Sequence, residues 1–101
     1  MKTLGYLINI KKEIGVFVEN KDMARIWRQT KIFPALKVGL DVTLNFEGVE
    51  FVTQSFVHAL ISAALREYGE VALKKLIFKS CNKPVKQIVL TVIEYSLDKA
   101  A

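Results

Sequence analysis

The chemistry that this sequence could carry centres on its single histidine and the hydroxyl groups near it. His58 and Ser62 are four residues apart, a spacing that brings two side chains together on one face of a helix. Such a pair suggests a general base and a nucleophile, but no carboxylate or oxyanion donor is placed to complete a catalytic site. We therefore expect no catalytic residues and predict that the protein is not an enzyme.

The acidic residues and the single cysteine give no signature of a metal or cofactor. Asp41, Glu47 and Glu50 are spread along a strand and a turn without the spacing of a metal site. Gly48 stands alone, whereas phosphate-binding loops need several glycines. Cys81 has no second cysteine for a disulfide or a zinc site. The sequence predicts neither a metal nor a cofactor, and we interpret Cys81 as a core or strand-end residue.

The helix that carries His58 has recognisable ends and an apolar stripe. Thr53 and Ser55 can accept hydrogen bonds from first-turn amides, and Gly69 can take the left-handed conformation that commonly follows a last turn. The stripe has helical spacing and consists of Val57, Leu60, Ile61, Ala64, Leu65 and Tyr68. We expect this stripe to pack against a sheet.

The opposite face of this helix is polar. A rotation of about 100° per residue places His58, Ser62 and Arg66 there together. The sequence therefore predicts a narrow exposed strip formed by these three side chains.

The segments before this helix indicate strands and one further helix. Residues 4–10 and 14–18 are rich in β-branched and aromatic residues and predict a β-hairpin. Asn20 or Asp22 can cap a helix that Pro34 would end. Its predicted inward stripe is Met23, Ile26, Trp27 and Thr30. Val42, Leu44 and Phe46 share one face of the strand that follows.

The last segments complete an α/β pattern. Residues 76–81 predict a short strand, and Pro84 suits the first turn of a final helix. Its stripe follows the helical repeat and consists of Val85, Ile88, Val89, Val92 and Ile93. The predicted element order is β-β-α-β-α-β-α, a compact α/β sandwich in which helices cover a mixed β-sheet.

Length and composition predict one domain over residues 1–101. The chain is 51% apolar, which is enough for a core in a single domain of this length. No apolar run approaches the roughly 20 residues that span a bilayer, and the N-terminus lacks a signal-peptide pattern. We expect a soluble cytoplasmic protein without membrane contact.

The net charge of +5 is unevenly distributed along the chain. Residues 11–37 and residues 66–86 each carry a net +4, whereas residues 38–65 carry −3. Such basic segments can attract nucleic acid or an acidic protein. We favour the alternative of an ordinary lysine-rich surface, because no basic helix has a groove-reading pattern.

The strand, turn and central helix carry a family resemblance. Residues 45–49 read NFEGV, and residues 51–56 read FVTQSF. Together with the preceding strand they resemble small STAS-like domains of unknown function, relatives in shape of anti-sigma-factor antagonist and sulphate-transporter domains. The resemblance extends more loosely from about residue 18 to residue 97 and implies a STAS-like fold.

The chain departs from that family pattern at two places. Family members usually have Asp where Asn45 stands, and an acidic pair where Val57, His58 and Ala59 stand here. In the antagonist domains a phosphorylatable serine begins the equivalent helix. The register places Gln54 there, with Ser55 next to it. The resemblance therefore makes Ser55 a candidate phosphorylation site.

These observations favour a non-enzymatic module that regulates a protein partner through the strand-turn-helix surface. The predicted partner-binding residues are Glu50, Gln54, Ser55, His58, Ser62 and Arg66. One alternative is a phage or mobile-element inhibitor of a host defence complex, such as an anti-CRISPR protein. Another is a basic nucleic-acid accessory protein, with contacts through Lys11, Lys12, Arg25, Arg28 and Lys31. A further alternative is a homo-oligomer, formed through an unpaired sheet edge or through the broad apolar helix.

Overall fold

Two small parallel sheets organise the protein. The computed structural model describes the backbone of residues 5–100 and the side chains of residues 5–98. In the larger sheet a central strand pairs in parallel with one strand on each side, and a separate sheet contains two short parallel strands. The larger sheet has the order β1 (Gly5–Asn9), β3 (Asp41–Asn45) and β5 (Leu76–Lys79), and the smaller one pairs β2 (Phe17–Val18) with β4 (Phe51–Val52).

The predicted α/β class is confirmed, but the predicted hairpin and mixed sheet are wrong. A short helix, α1 (Ile10–Glu13), follows β1 directly, and its Ile10 is fully buried. β1 pairs with β3, where Ile8 is the register partner of Leu44. Both N-terminal strands pair with strands far away in sequence. The apolar pattern of a strand does not specify its partner, so the hairpin could not be distinguished from two long-range pairings.

Residues 21–37 form one helical segment with a widened turn inside it. Its parts are α2 (Lys21–Trp27), a π turn (Arg28–Ile32) and α3 (Phe33–Lys37). As predicted, Asn20 caps it, because the Asn20 Oδ1 accepts a hydrogen bond from the Met23 amide at 3.1 Å.

Pro34 lies inside this helical segment instead of ending it. Proline lacks an amide hydrogen and clashes with the carbonyl four residues earlier, and the wider π turn lies immediately upstream. The predicted inward stripe is partly wrong. Trp27 is buried and Met23 is half-buried, whereas Ile26 and Thr30 are exposed.

The central helical segment, residues 54–68, has the predicted ends and a second widened turn. It consists of α4 (Gln54–Val57), a π turn (His58–Ser62) and α5 (Ala63–Tyr68). The Thr53 Oγ1 accepts a hydrogen bond from the Phe56 amide at 3.1 Å. Gly69, with φ +57°, ends the segment.

Two further helices complete the described chain. α6 (Glu70–Lys75), which the sequence pattern did not predict, leads into β5. The predicted final helix is confirmed as α7 (Lys83–Ala100), with Pro84 in its first turn. The Asn82 Oδ1 accepts a hydrogen bond from the Val85 amide at 2.9 Å and so caps α7.

The core lies between the helices and one face of the larger sheet. Val42, Leu44 and Phe46 are buried as the alternation predicted, and the Trp27 and Phe56 rings meet edge to face with centroids 6.4 Å apart. Burial of each such side chain stabilises the fold by about 1.5–3 kcal/mol. Within the described residues, no helix combines the length and apolarity needed to cross a membrane.

Candidate docking surface and basic pocket

Five of the six predicted partner-binding residues are exposed. Glu50 precedes β4, Gln54 and Ser55 lie in the first turn of α4, His58 begins the π turn, and Arg66 lies in α5. The larger apolar residues between them on this helical segment, such as Val57, Leu60 and Leu65, are buried in the core. The predicted exposed strip on the helix is thus confirmed at His58 and Arg66.

The predicted exposure of Ser62 is wrong. Ser62 is 1% exposed, and its Oγ accepts a hydrogen bond from the Ser96 Oγ of α7 at 2.9 Å. The π turn His58–Ser62 explains the difference. A π turn contains more residues than the 3.6 of an α-helical turn, so each residue in it rotates less about the helix axis. The Ser62 side chain therefore points in a different direction from the one that α-helical rotation predicts. It faces α7 instead of solvent.

An exposed aromatic pair lies beside this strip. Phe17 of β2 and Phe51 of β4 are register partners, and they are 64% and 44% exposed. Together with Val18, Glu19 and Thr53 they line a groove of about 240 Å³. Sequence analysis missed this pair because strands of two residues are too short for a periodic signal. The repeated Phe-Val dipeptide at residues 17–18 and 51–52 was the available clue.

Basic residues of one helical segment meet the start of the other in a pocket of about 480 Å³. We define the basic pocket by its lining residues, Lys21, Arg25, Arg28, Gln54, Ser55, His58 and Ala59. The basic pocket contains residues from two separate predictions. Arg25 and Arg28 were expected to contact nucleic acid, whereas Gln54, Ser55 and His58 were expected to bind a protein. Their proximity depends on helix packing that the sequence pattern did not specify.

Arg28 joins the two helical segments that form the basic pocket. Its Nη1 donates a hydrogen bond to the main-chain carbonyl of Ala59 at 3.1 Å. Its Nε is buried and has no hydrogen-bond partner among the described residues. Arg25 Nη1 donates to the exposed Asp22 carboxylate at 3.0 Å. Arg28 therefore has its position fixed by the backbone, whereas Arg25 has a solvent-exposed ion pair.

The other basic residues predicted to bind nucleic acid lie elsewhere. Lys11 and Lys12 line a second cleft, of about 500 Å³, at the carboxyl ends of β1 and β3. Lys31 Nζ lies 5.8 Å from the centroid of the Tyr6 ring, within the range of a cation–π contact. The structure therefore distributes the five predicted basic contacts over three places.

Asn45, which stands where the family resemblance led us to expect aspartate, lies in that second cleft. Its Nδ2 donates a hydrogen bond to the Asn9 Oδ1 at 3.0 Å, and its Oδ1 accepts one from the Glu47 amide at 3.1 Å. An ionised carboxylate could not donate to Asn9. The amide side chain therefore links the ends of two neighbouring strands.

Cys81 lies at the end of β5, half-buried against the core, as interpreted from the sequence. Burial raises the pKa of the Cys81 thiol, and the positive charge of Lys86 opposes this effect in part. This environment favours the protonated thiol over the reactive thiolate. Over the part of the chain that the structure describes, no three His, Cys, Asp or Glu residues form a group able to hold a metal ion.

Residues 24–86 match the family described as a STAS-like domain of unknown function, DUF4325. The chain belongs to this family. The match confirms the resemblance and includes Arg25, Arg28 and the whole central helical segment of this STAS-like domain. No curated protein and no solved structure matches the chain.

Proposed function

We propose that this STAS-like domain is a non-enzymatic interaction module that regulates a protein partner by binding it. The surface proposed for binding, called the docking surface below, consists of Phe17, Glu50, Phe51, Gln54, Ser55, His58 and Arg66. The observation that carries the proposal is the exposed pair of phenylalanines in register on the smaller sheet, with polar residues next to it.

An aromatic pair with a polar surround is the composition of a protein interface. Aromatic side chains are enriched at the centre of interfaces, where a few residues supply most of the binding free energy. Phe17 and Phe51 can bury large areas while losing little side-chain entropy. Two large exposed aromatic side chains side by side are otherwise unfavourable on the surface of a small domain.

Main-chain hydrogen bonds hold the aromatic pair in place before a partner arrives. The amides of Glu50 and Phe51 donate to the Val16 carbonyl at 2.9 Å and 3.2 Å, and the Thr53 amide donates to the Val18 carbonyl at 3.0 Å. A surface that is already ordered loses less entropy on association. This order supports a role in binding.

Phosphorylation of Ser55 is proposed as the regulatory step. The Ser55 side chain is exposed, lies in the first turn of α4 and lines the basic pocket. A phosphoryl group adds about −1.5 to −2 charge at neutral pH. It would neutralise much of the positive charge of the basic pocket and thereby alter partner affinity.

The test begins with purification of the domain and its partner from the native cell, followed by affinity measurements on defined variants. We expect F17A/F51A to weaken partner binding by about 2 kcal/mol or more, the range of interface hot spots. L90A is the matched control, because Leu90 is an apolar residue of α7 with a similar exposure of 48%.

The polar part of the docking surface is tested with E50Q, H58A and R66A in the same assay. Equal affinity of the wild-type protein, F17A/F51A and these three variants would place the partner on another surface and reject the proposal. Loss of affinity in L90A equal to that in F17A/F51A would reject it as well.

A further inference from the structure

We propose that the basic pocket is a binding site for a phosphate monoester. Three cationic side chains, those of Lys21, Arg25 and Arg28, line the pocket together with Ser55 and His58. The family description assigns no ligand, so the inference rests on the chemistry of these residues.

The charge of the pocket favours a dianion. Lysine and arginine side chains are protonated at neutral pH, and none of the seven lining residues is acidic. The nearby Asp22 carboxylate pairs with Arg25, but the Asp22 side chain is 86% exposed. Solvent screens such an exposed pair, which contributes little, so Arg25 stays available to a ligand.

Arg28 supplies the strongest sign that a negative charge belongs here. One guanidinium nitrogen is fixed on the Ala59 carbonyl, and the Nε is buried without a partner among the described residues. Buried unsatisfied donors on a cation are costly and need an explanation. An anion in the pocket would lower the electrostatic cost of keeping this cation between two helices.

The central helical segment adds hydrogen-bond donors to the same place. Gln54 and Ser55 are the first two residues of α4, and the main-chain bond from the Val57 amide to the Thr53 carbonyl is the first within the segment. The Phe56 amide is occupied by the Thr53 hydroxyl, whereas the Gln54 and Ser55 amides have no intrahelical acceptor and lie at the positive end of the helix dipole. Phosphate oxygens are suitable acceptors for them.

The pocket has room for a monoester as well as for the free phosphate ion. Its volume of about 480 Å³ lies within the range of about 300–1,000 Å³ that is usual for small-molecule sites. A phosphoryl group would leave room for the carbon atoms attached to its ester oxygen. That phosphoryl group could belong to a small metabolite or to a phosphorylated side chain of the partner, and both sources share this chemistry.

The inference deepens the proposed function and rests on it, because Gln54, Ser55 and His58 belong to both the pocket and the docking surface. The two remain separable by experiment. Phosphate binding is measured on the domain alone, whereas docking is measured with the partner and the F17A/F51A variant.

The experiment is an amide NMR titration of the full chain with three probes: inorganic phosphate, O-phosphoserine and a short peptide containing phosphoserine. Sodium acetate and sodium chloride at the same ionic strength serve as comparison anions. We expect saturable shifts of the Gln54, Ser55 and Phe56 amides with O-phosphoserine, and an affinity at least about tenfold above that for acetate. Tighter binding of the peptide than of O-phosphoserine would identify a protein source.

Two variants test the location. K21Q/R25Q removes two exposed cations of the pocket and should weaken O-phosphoserine binding by about tenfold or more. The control K74Q/K83Q removes the same charge from exposed residues outside the pocket. It should change the affinity for O-phosphoserine by no more than about twofold. S55D adds a carboxylate where it favours the helix and should also weaken binding about tenfold.

The proposal is overturned by any of three results. The first is a lack of saturable shifts with O-phosphoserine, and the second is equal binding of phosphate and acetate. The third is an equal loss of affinity in K21Q/R25Q and K74Q/K83Q. If F17A/F51A loses partner binding and the domain alone does not bind O-phosphoserine, the docking surface is supported and the phosphate site is rejected. If the domain binds O-phosphoserine and F17A/F51A keeps its partner affinity, the phosphate site is supported and the docking surface is rejected.

Discussion

Two hydroxyl side chains lie at the start of the central helical segment, and only Thr53 makes the capping hydrogen bond to the Phe56 amide. We expect T53A to lower the free energy of unfolding by about 1 kcal/mol, the usual cost of losing such a cap. The measurement is urea denaturation followed by circular dichroism.

Ser55 provides the matched control for that cap, because its side chain is exposed and lies two residues further along. S55A should change the unfolding free energy by less than about 0.5 kcal/mol, as expected for surface substitutions. A larger loss in S55A than in T53A would mean that Ser55 is the true cap.

The environment of Cys81 leads to a prediction about its reactivity. Because burial raises the pKa of this thiol, a smaller fraction is ionised at pH 8 in the folded protein than in the unfolded chain, and thiolate is the nucleophile. Alkylation by iodoacetamide at pH 8 should therefore be slower in the folded protein than in urea. Equal rates in both states would contradict this expectation.

Lys86 offers a second test of the same cysteine. Its positive charge lowers the pKa of the Cys81 thiol against the larger effect of burial, so K86Q should slow alkylation of the folded protein further. The rates of wild-type protein and K86Q should converge in urea, where the two side chains no longer have a fixed separation.

At the scale of elements, the buried contact between Ser62 and Ser96 fastens the central helical segment to α7. S62A removes the acceptor and leaves the Ser96 hydroxyl buried and unsatisfied, which should cost about 1–3 kcal/mol. The S62A/S96A double variant should cost less than the sum of the two single variants, because no lone hydroxyl remains. Additive losses by urea denaturation would show that the hydrogen bond is unimportant.

Asn82 links the start of α7 to residues 49–50, just before β4. Besides capping α7, its Nδ2 donates to the carbonyls of Val49 and Glu50 at 3.2 Å and 3.1 Å. N82A should therefore cost about 2 kcal/mol, more than the simple cap at Thr53. Hydrogen exchange should also become faster in residues 49–52, and unchanged exchange there would contradict this linking role.

Element types were largely predictable from the sequence, whereas helix register was not. The caps at Asn20 and Thr53 and the stripe of α7 follow local rules, and the structure confirms them. Ser62 and Thr30 were misplaced because periodicity assumes a uniform 3.6 residues per turn. The two π turns break that assumption, and no simple sequence signal marks them.

Strand pairing and the basic pocket were unpredictable for a related reason. The alternation of Val42, Leu44 and Phe46 identified a half-buried strand, but pairing with β1 and β5 is decided by contacts distant in sequence. Likewise, Arg25 was assigned to nucleic-acid binding and Ser55 to partner binding, because the local sequence does not show that their helices pack together around one pocket. Long-range packing determines both features.

At the scale of the whole molecule, the net charge of +5 is spread over several faces. Lys11 and Lys12 lie in one cleft, Arg25 and Arg28 in another, and Lys31 over Tyr6. We expect nucleic acid to bind weakly and without sequence preference. The affinity should fall steeply between 50 and 200 mM salt, because phosphate contacts release counterions; for 6–10 contacts the fall is roughly 10³-fold or more.

Fluorescence anisotropy with a labelled duplex and a labelled single strand measures that salt dependence. Tight binding that weakens steeply with salt would favour a nucleic-acid accessory protein over an interaction module, whereas salt-insensitive or undetectable binding would remove this alternative. Self-association also stays a prediction at this scale, and sedimentation over a range of protein concentrations tests it.

The two π turns have an evolutionary consequence, because Arg28 of one donates to Ala59 of the other. Loss of a single residue from either turn would convert it to an ordinary α turn and redirect the side chains within that turn. Arg28 and Ala59 both lie in these turns, so the contact between the two helical segments would be lost. Insertions and deletions in these two stretches should therefore be inherited together, so that ancestral and descendant chains differ in both or in neither.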